Sequence, residues 1–315
     1  MQLEHTANGI DVLHGRQHFT TYVHGTGLPK VILYPFLTPG GAALTRPLHA
    51  GPGVDKDHPH HRGVWTAHGA VDGVDFWEEY KPDHGRIIHK EIRRCTSGDI
   101  GRLDTTLAWV DATGLTRLLE ERTMRFFPLA FDGGSAYAME LEFTLRGHAG
   151  RAIVFGDTKE GGLVAARVNP SINATGAGII YNSEGLSTGP SAKEPEATWG
   201  KAARWVAYAG PAGNRAGGAA TQATLAILHL PPSFAHPTRW HVRGYGLFAA
   251  NPFALSYFEN KIPGASHDPA KSGAYTLPAG EALHWRCVVI AADGRPSAPQ
   301  LDAWHGQFAA PAKQQ

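Results

Sequence analysis

Residues 137–145 alternate: Tyr137, Met139, Leu141, Phe143 and Leu145 are apolar, and most residues between them, Glu140, Glu142 and Thr144, are polar. A period of two puts every second side chain on one face, the pattern of a strand covered on one side. By pattern alone, the neighbouring residues 118–127 fit a strand or a short helix. Gly114, Pro128 and the pair Gly133-Gly134 bound that stretch and favour a strand leading into a hairpin. Further strands are expected at 31–34, 103–110, 152–155, 163–168, 203–208, 225–230, 274–277 and 283–291. With 38 Gly and 22 Pro among 315 residues, long helices are disfavoured, because both residues penalise a helix interior. The exception is the end of the chain, where Ser297 can cap and Pro299 can open a short helix. These patterns predict an all-β protein, a large antiparallel β-sandwich with a short C-terminal helix. No repeat or low-complexity linker divides the chain, so one domain over 1–315 is expected, with residues 209–218 as its longest loop.

Charge narrows the partners. Lys and Arg number 29 against 28 Asp and Glu, so no global field steers the chain to nucleic acid or to an anionic membrane. A neutral or weakly charged small ligand fits better. Cys95 and Cys287 are too few for a disulfide framework, and reduced thiols are the simpler reading. The first residues lack the basic start and apolar stretch of a secretory signal, and no run of about eighteen apolar residues follows. The expectation is a soluble, cytoplasmic protein.

Three segments concentrate chemistry. The first is Asp57-His58-Pro59-His60-His61-Arg62-Gly63, followed by Trp65, His68 and Trp77. Imidazole can donate, accept or relay a proton near neutral pH, and indole offers an apolar plate for a sugar ring. His58, His60, His61 and His68 are candidate ligands for a divalent metal, although their spacing matches no standard zinc signature. Arg62 suits a carboxylate or hydroxyl clamp, or an ion pair pinning the loop; Trp65 and Trp77 suit stacking, or simply a core. The second segment, Gly156-Asp157-Thr158-Lys159-Glu160-Gly161-Gly162, puts two acids and a base in one loop, with Arg167 downstream. Glu160 is a candidate acid or base, Lys159 a candidate for stabilising negative charge, and Asp157 and Arg167 candidate substrate contacts; a plain hairpin turn accounts for the segment equally simply. The third runs from His236 to Phe253 and contains the preferred pair His241 and Asn251, with a hydrogen-bonded loop as the alternative. Ser183-Glu184-Gly185 and Trp199-Gly200-Lys201 are weaker candidates for a rim. No nucleophile elbow, phosphate loop or dinucleotide fingerprint occurs.

These segments, with Gly73-Val74-Asp75-Phe76-Trp77 and His236-Pro237-Thr238-Arg239-Trp240-His241, resemble those of bacterial proteins labelled as the PmoA family. The resemblance implies an accessory role in carbohydrate catabolism, a functional link to sugar oxidoreductases, and a supersandwich fold similar to that of aldose epimerases. Together the residues and the resemblance lead to a carbohydrate-active lyase, hydrolase or epimerase acting on a sugar or keto-sugar glycoside. His60, His61, Glu160 and His241 are its expected acid/base groups, with Arg62, Trp65, His68, Trp77, Asp157, Lys159, Arg167 and Asn251 binding substrate. A non-catalytic sugar-binding protein is the first alternative, and a metal-dependent oxygenase, as the label suggests, the second.

Overall fold

A computed structural model describes residues 1–25, 27–48, 57–192, 197–213, 221–259 and 271–310. Two antiparallel sheets dominate it. The eight-stranded sheet runs, in spatial order, Gln2–Thr6, Gly9–His14, Gln17–Val23, Ile32–Leu33, Val64–His68, Gly161–Arg167, Leu247–Ala250 and Trp240–Val242. The nine-stranded sheet runs Ser187–Thr188, Ile179–Asn182, Trp205–Ala212, Thr221–His229, Ala282–Asp293, Gly134–Gly147, Thr116–Phe131, Gly101–Val110 and Arg86–Thr96. A small third pair joins Ile153–Phe155 to Tyr275–Leu277.

The alternation at 137–145 explains how the layers meet. Tyr137, Met139, Leu141, Phe143 and Leu145 point into an apolar core shared by both large sheets, where Phe19 of the eight-stranded sheet meets Phe126 edge-on at 6.2 Å. Ala136 and Ala138 point the other way and are buried too, because the C-terminal helix Ala298–Ala309 lies over them with Leu301 and Trp304. Small residues make room for that helix: Ala138, Ile290, Ala226 and Ala207 share one cross-strand row. Farther along the strand, beyond the helix-covered patch, Glu140 and Glu142 ion-pair with Arg286 and Arg125 instead. The helix begins as its sequence predicts, with the Ser297 hydroxyl accepting from the Gln300 amide and Pro299 in its first turn.

Residues 118–127 are strand throughout, and their inner face carries the pair Glu120 and Arg122. Arg122 reaches across the sandwich to donate to the Thr66 hydroxyl. That contact fixes how strand Val64–His68 is turned. Thr66 and His68 face the nine-stranded sheet, so Trp65 and Ala67 face away from it. Residues 209–212 belong to strand Trp205–Ala212 and are not loop, and 214–220 of the expected loop lie outside the described residues. At the far margin of the nine-stranded sheet, Arg86–Thr96 pairs along its length with Gly101–Val110, with register shifts at His89/Glu91 and Ile92/Arg94, and on its other side makes a single bridge from Ile87 to Lys30.

Candidate functional site

The site is built on the outward face of the eight-stranded sheet. Residues paired in register share a face, and here the row reads Trp65, Ala165, Ala249, His241 across four adjacent strands. Strands are spaced about 4.8 Å apart, so indole and imidazole stand roughly 14 Å apart at their backbones with only two methyl groups between. Gly162 keeps this floor low, since a Cβ there would come within 2.7 Å of that of Ala249. Arg167, two residues beyond Ala165, rises from the same face.

At the Trp65 end the segment from Asp57 to Arg62 folds over the sheet. Gly63 ends it with φ +57°, where a Cβ would come within 2.3 Å of the Leu33 carbonyl, so only glycine fits. His58 is also left-handed, with φ 44°, a strained setting for an imidazole ahead of a proline. The rings of Tyr245, His58, His61 and Trp65 form one continuous stack, with successive centroids at 5.3, 4.9 and 5.5 Å and interplanar angles of 9°, 4° and 20°. Arg167 braces it. Its guanidinium lies 4.4 Å from the Tyr245 ring centre, donates to Asp57 Oδ1 at 2.6 Å and approaches His61 Nδ1 at 3.4 Å. Arg46 grips the same Asp57 oxygen at 2.8 Å. Burial raises the Asp57 pKa, but the hydrogen bond from His58 and the Arg167 charge outweigh it and hold the carboxyl below its ordinary value.

At the other end His241 donates from Nδ1 to the Lys159 carbonyl at 2.7 Å, which leaves a lone pair on a buried Nε2 that has no partner. Asn251 donates to the Thr158 and Lys159 carbonyls and so holds the loop of residues 157–160 in place. Asp157 accepts from the Ser256 and Gly273 amides, an anchoring role. Lys159 and Glu160, paired at 3.0 Å, are partly exposed at the opening together with His58 and Tyr245. Trp199, expected at a rim, is buried edge-on to His241 at 6.3 Å, and the Arg243 guanidinium lies 5.9 Å from its ring.

The expected residues therefore sort into groups. His58, His61, Trp65, Arg167, Lys159, Glu160 and His241 come to one face, and Asn251 and Asp157 shape its loop. His60 lies against His61 at 4.3 Å with both nitrogens buried and unpartnered. Arg62 is tied to Glu79, which also pairs with buried Lys30 at 3.0 Å, so it pins the loop. Trp77 is core, 5.2 Å from Trp65. Ser183 and Glu184 form a turn in the nine-stranded sheet, away from this face.

Two expectations need correction. His68 does not join the other imidazoles. It lies on the opposite face of its strand, where its Nε2 donates to the Gly156 carbonyl at 2.8 Å. The proposed metal set of His58, His60, His61 and His68 is consequently not assembled, and no group of three or more ligating side chains occurs among the described residues. Parallel stacking of His58 on His61 adds a geometric reason, because nitrogens in parallel ring planes 4.9 Å apart do not aim at a common ion.

Burial, reinforced by neighbouring cations, pushes His60 and His241 down to about 3. Burial likewise takes His68 to about 4 and holds His61 and His229 well below their ordinary value. All are neutral at pH 7. Protonation is thus easier in the unfolded chain, near 6.5, so stability is fully present above that pH and falls as pH drops toward the folded-state values. Each fully buried imidazole contributes up to about 1.4 kcal/mol per pH unit below 6.5. The urea midpoint is expected to fall steadily from pH 6.5 to 4.5; an unchanged midpoint would mean these rings are already charged in the native state.

Fold and site together define an antiparallel β-sandwich with a buried aromatic and imidazole cluster on the outer face of one sheet. The chain belongs to DUF6807, a family of unknown function, which matches residues 9–305. That family's description assigns no activity and carries no support for the PmoA label. No curated protein matches the chain. Among solved structures it is similar to the α-galactosidase of Lactobacillus brevis, at 7% identity and a TM-score of 0.38, over 93% of this chain and 39% of that one. The chain spans well under half of that enzyme, and the likeness is too slight to bear on the site. No helix among the described residues is long and apolar enough to cross a membrane.

Proposed function

We propose that this protein is a carbohydrate-active enzyme that binds a sugar or keto-sugar glycoside over the Ala165 and Ala249 floor and performs acid/base chemistry there. One observation carries the reading. Buried hydrogen-bonding atoms without partners gather around that floor: both His60 nitrogens, His61 Nε2, Trp65 Nε1, Trp199 Nε1 and His241 Nε2. Buried polar groups are ordinarily paired, so such a gathering calls for an oxygen-rich guest. Indole faces with alternating donors and acceptors suit a sugar, which is apolar on its ring faces and polar at its rim.

The roles follow from the geometry. His241 accepts a hydroxyl proton at Nε2, because its Nδ1 is committed to the Lys159 carbonyl. His61, accepting from Arg167 at Nδ1, presents Nε2–H to a ligand oxygen. Glu160 is the acid group at the mouth, and Lys159, paired with it at 3.0 Å, is a cation placed to stabilise an enolate. A carbonyl beside the reacting carbon would lower the demand on the base, which makes a product of a sugar oxidoreductase a natural substrate.

A second reading, binding without turnover, draws support from the His60 and His241 values near 3, since an effective base titrates nearer neutrality. Incubating the protein with glycosides and their 3-keto forms, with calorimetry on the same set, separates the two. Consumption of a substrate, slowed about 100-fold or more in His241→Gln with little change in affinity, is the expected result. Binding without product would favour the second reading, and failure to bind any member at millimolar concentration would overturn both.

A further inference from the structure

Tyr80 is 65% exposed, the most exposed large apolar side chain among the described residues, yet it is not a loose surface ring. Its neighbour Glu78 pairs with Lys81 at 2.9 Å. Lys81 also pairs with Asp75 at 3.1 Å, and Asp75 accepts from the Trp77 and Glu78 amides. The turn under Tyr80 is therefore braced at every step. The ring stands edge-on to His60 at 5.8 Å, and His60 is 3% exposed with neither nitrogen partnered. His60 in turn touches His61, a member of the ring stack that walls the floor. The negative charge of Glu160 is felt at Tyr80 and at Tyr245 alike.

An exposed aromatic on a braced turn beside an unpaired buried imidazole, next to the ring stack, has the make-up of a second sugar position. We propose that Tyr80 is the stacking platform of an outer subsite, with His60 as its hydrogen-bonding partner, so that the ligand is a glycoside whose second sugar unit rests there. This rests on the reading of the cluster as a sugar site. The inner unit occupies the floor between Trp65 and His241; the glycosidic oxygen then passes Glu160, and the outer ring lies on Tyr80. Free monosaccharides fill half of the site.

The test compares methyl glycosides of glucose, galactose and xylose with cellobiose, maltose, lactose, melibiose and xylobiose by calorimetry. At least one disaccharide is expected to bind about fivefold to tenfold more tightly than the methyl glycoside of its inner unit, the scale of one aromatic stacking contact. Tyr80→Ala should erase that difference and leave methyl glycoside affinity and melting temperature unchanged, while Tyr80→Phe should preserve it. Equal affinities for one and two units, or a preference that survives Tyr80→Ala, would overturn the outer subsite and leave the sugar reading standing. Absence of binding across the whole panel would overturn the sugar reading itself and the subsite with it.

Discussion

Replacing Arg122 with methionine is expected to cost about 3–5 kcal/mol of folding stability, because it strands a carboxylate between the two sheets. Arg122 and Glu120 have side chains 1% and 0% exposed, with Arg122 Nε donating to Glu120 at 2.7 Å and a second nitrogen at 2.6 Å. Glu120 also accepts from Trp109 Nε1 at 2.8 Å. Once the guanidinium is gone, the remaining indole bond cannot balance a full charge removed from water. The double variant Arg122→Met with Glu120→Gln should recover most of the loss, since an amide keeps an acceptor for Trp109 without the charge. Urea titrations of the two variants decide it. If the double variant is no more stable than the single one, the stranded charge is not the cause. The same substitution frees Thr66, next to Trp65, and should loosen the floor of the site from behind.

The second large effect lies at Arg167. Arg167→Met removes the donor to Asp57, the brace of His61 and the cation over Tyr245 in one step. Stability should fall by about 3 kcal/mol, at the lower end for a broken pair because Asp57 still reaches water. The larger consequence is for the ligand. Residues 57–61 keep their bonds to Arg46 but lose the brace on the ring stack, the stack loses its register, and sugar affinity should drop about 100-fold, the loss expected when a preorganised wall must be reordered on binding. Arg167→Lys should not restore affinity, since a single ammonium cannot serve a carboxylate, an imidazole and a ring face together. Backbone hydrogen exchange over residues 57–63 should quicken in both variants. Wild-type affinity in the lysine variant would show that charge alone, without the planar fork, is what Arg167 supplies.

Much of the sandwich was legible because a strand covered on one side must alternate. The predicted stretches at 103–110, 118–127, 137–145 and 283–291 fall inside Gly101–Val110, Thr116–Phe131, Gly134–Gly147 and Ala282–Asp293. Arg86–Thr96 was not legible. It is a sheet margin, exposed along most of both faces, so no burial pattern selects its residues. Strands at 2–6, 9–14 and 17–23 were missed as well, because histidines and threonines interrupt their apolar periodicity. The clustered histidines pointed to the site, since imidazoles are seldom so concentrated without purpose. Their sorting was hidden, because His61 sits on the segment folded over the outer face while His68 points inward from strand Val64–His68, whose facing depends on the contact between Thr66 and Arg122. Tyr80 carried no signal of its own, and Tyr245 was one residue among many in the segment from His236 to Phe253. Their positions at the opening follow from how distant turns meet, and Tyr80 follows the singled-out Trp77 by only three residues.

The margin at Arg86–Thr96, open beyond the Ile87 bridge to Lys30, has a bearing on handling the protein at high concentration. Bare amide and carbonyl groups along a straight border would template the addition of strands from other molecules. Here two kinks break the spacing that an incoming strand would need, and Lys90, Glu91, Arg93 and Arg94 make a close neighbour of the same kind repulsive as often as attractive. Fibre growth from this border is thereby obstructed, and the molecule can tolerate an open sheet without a cap.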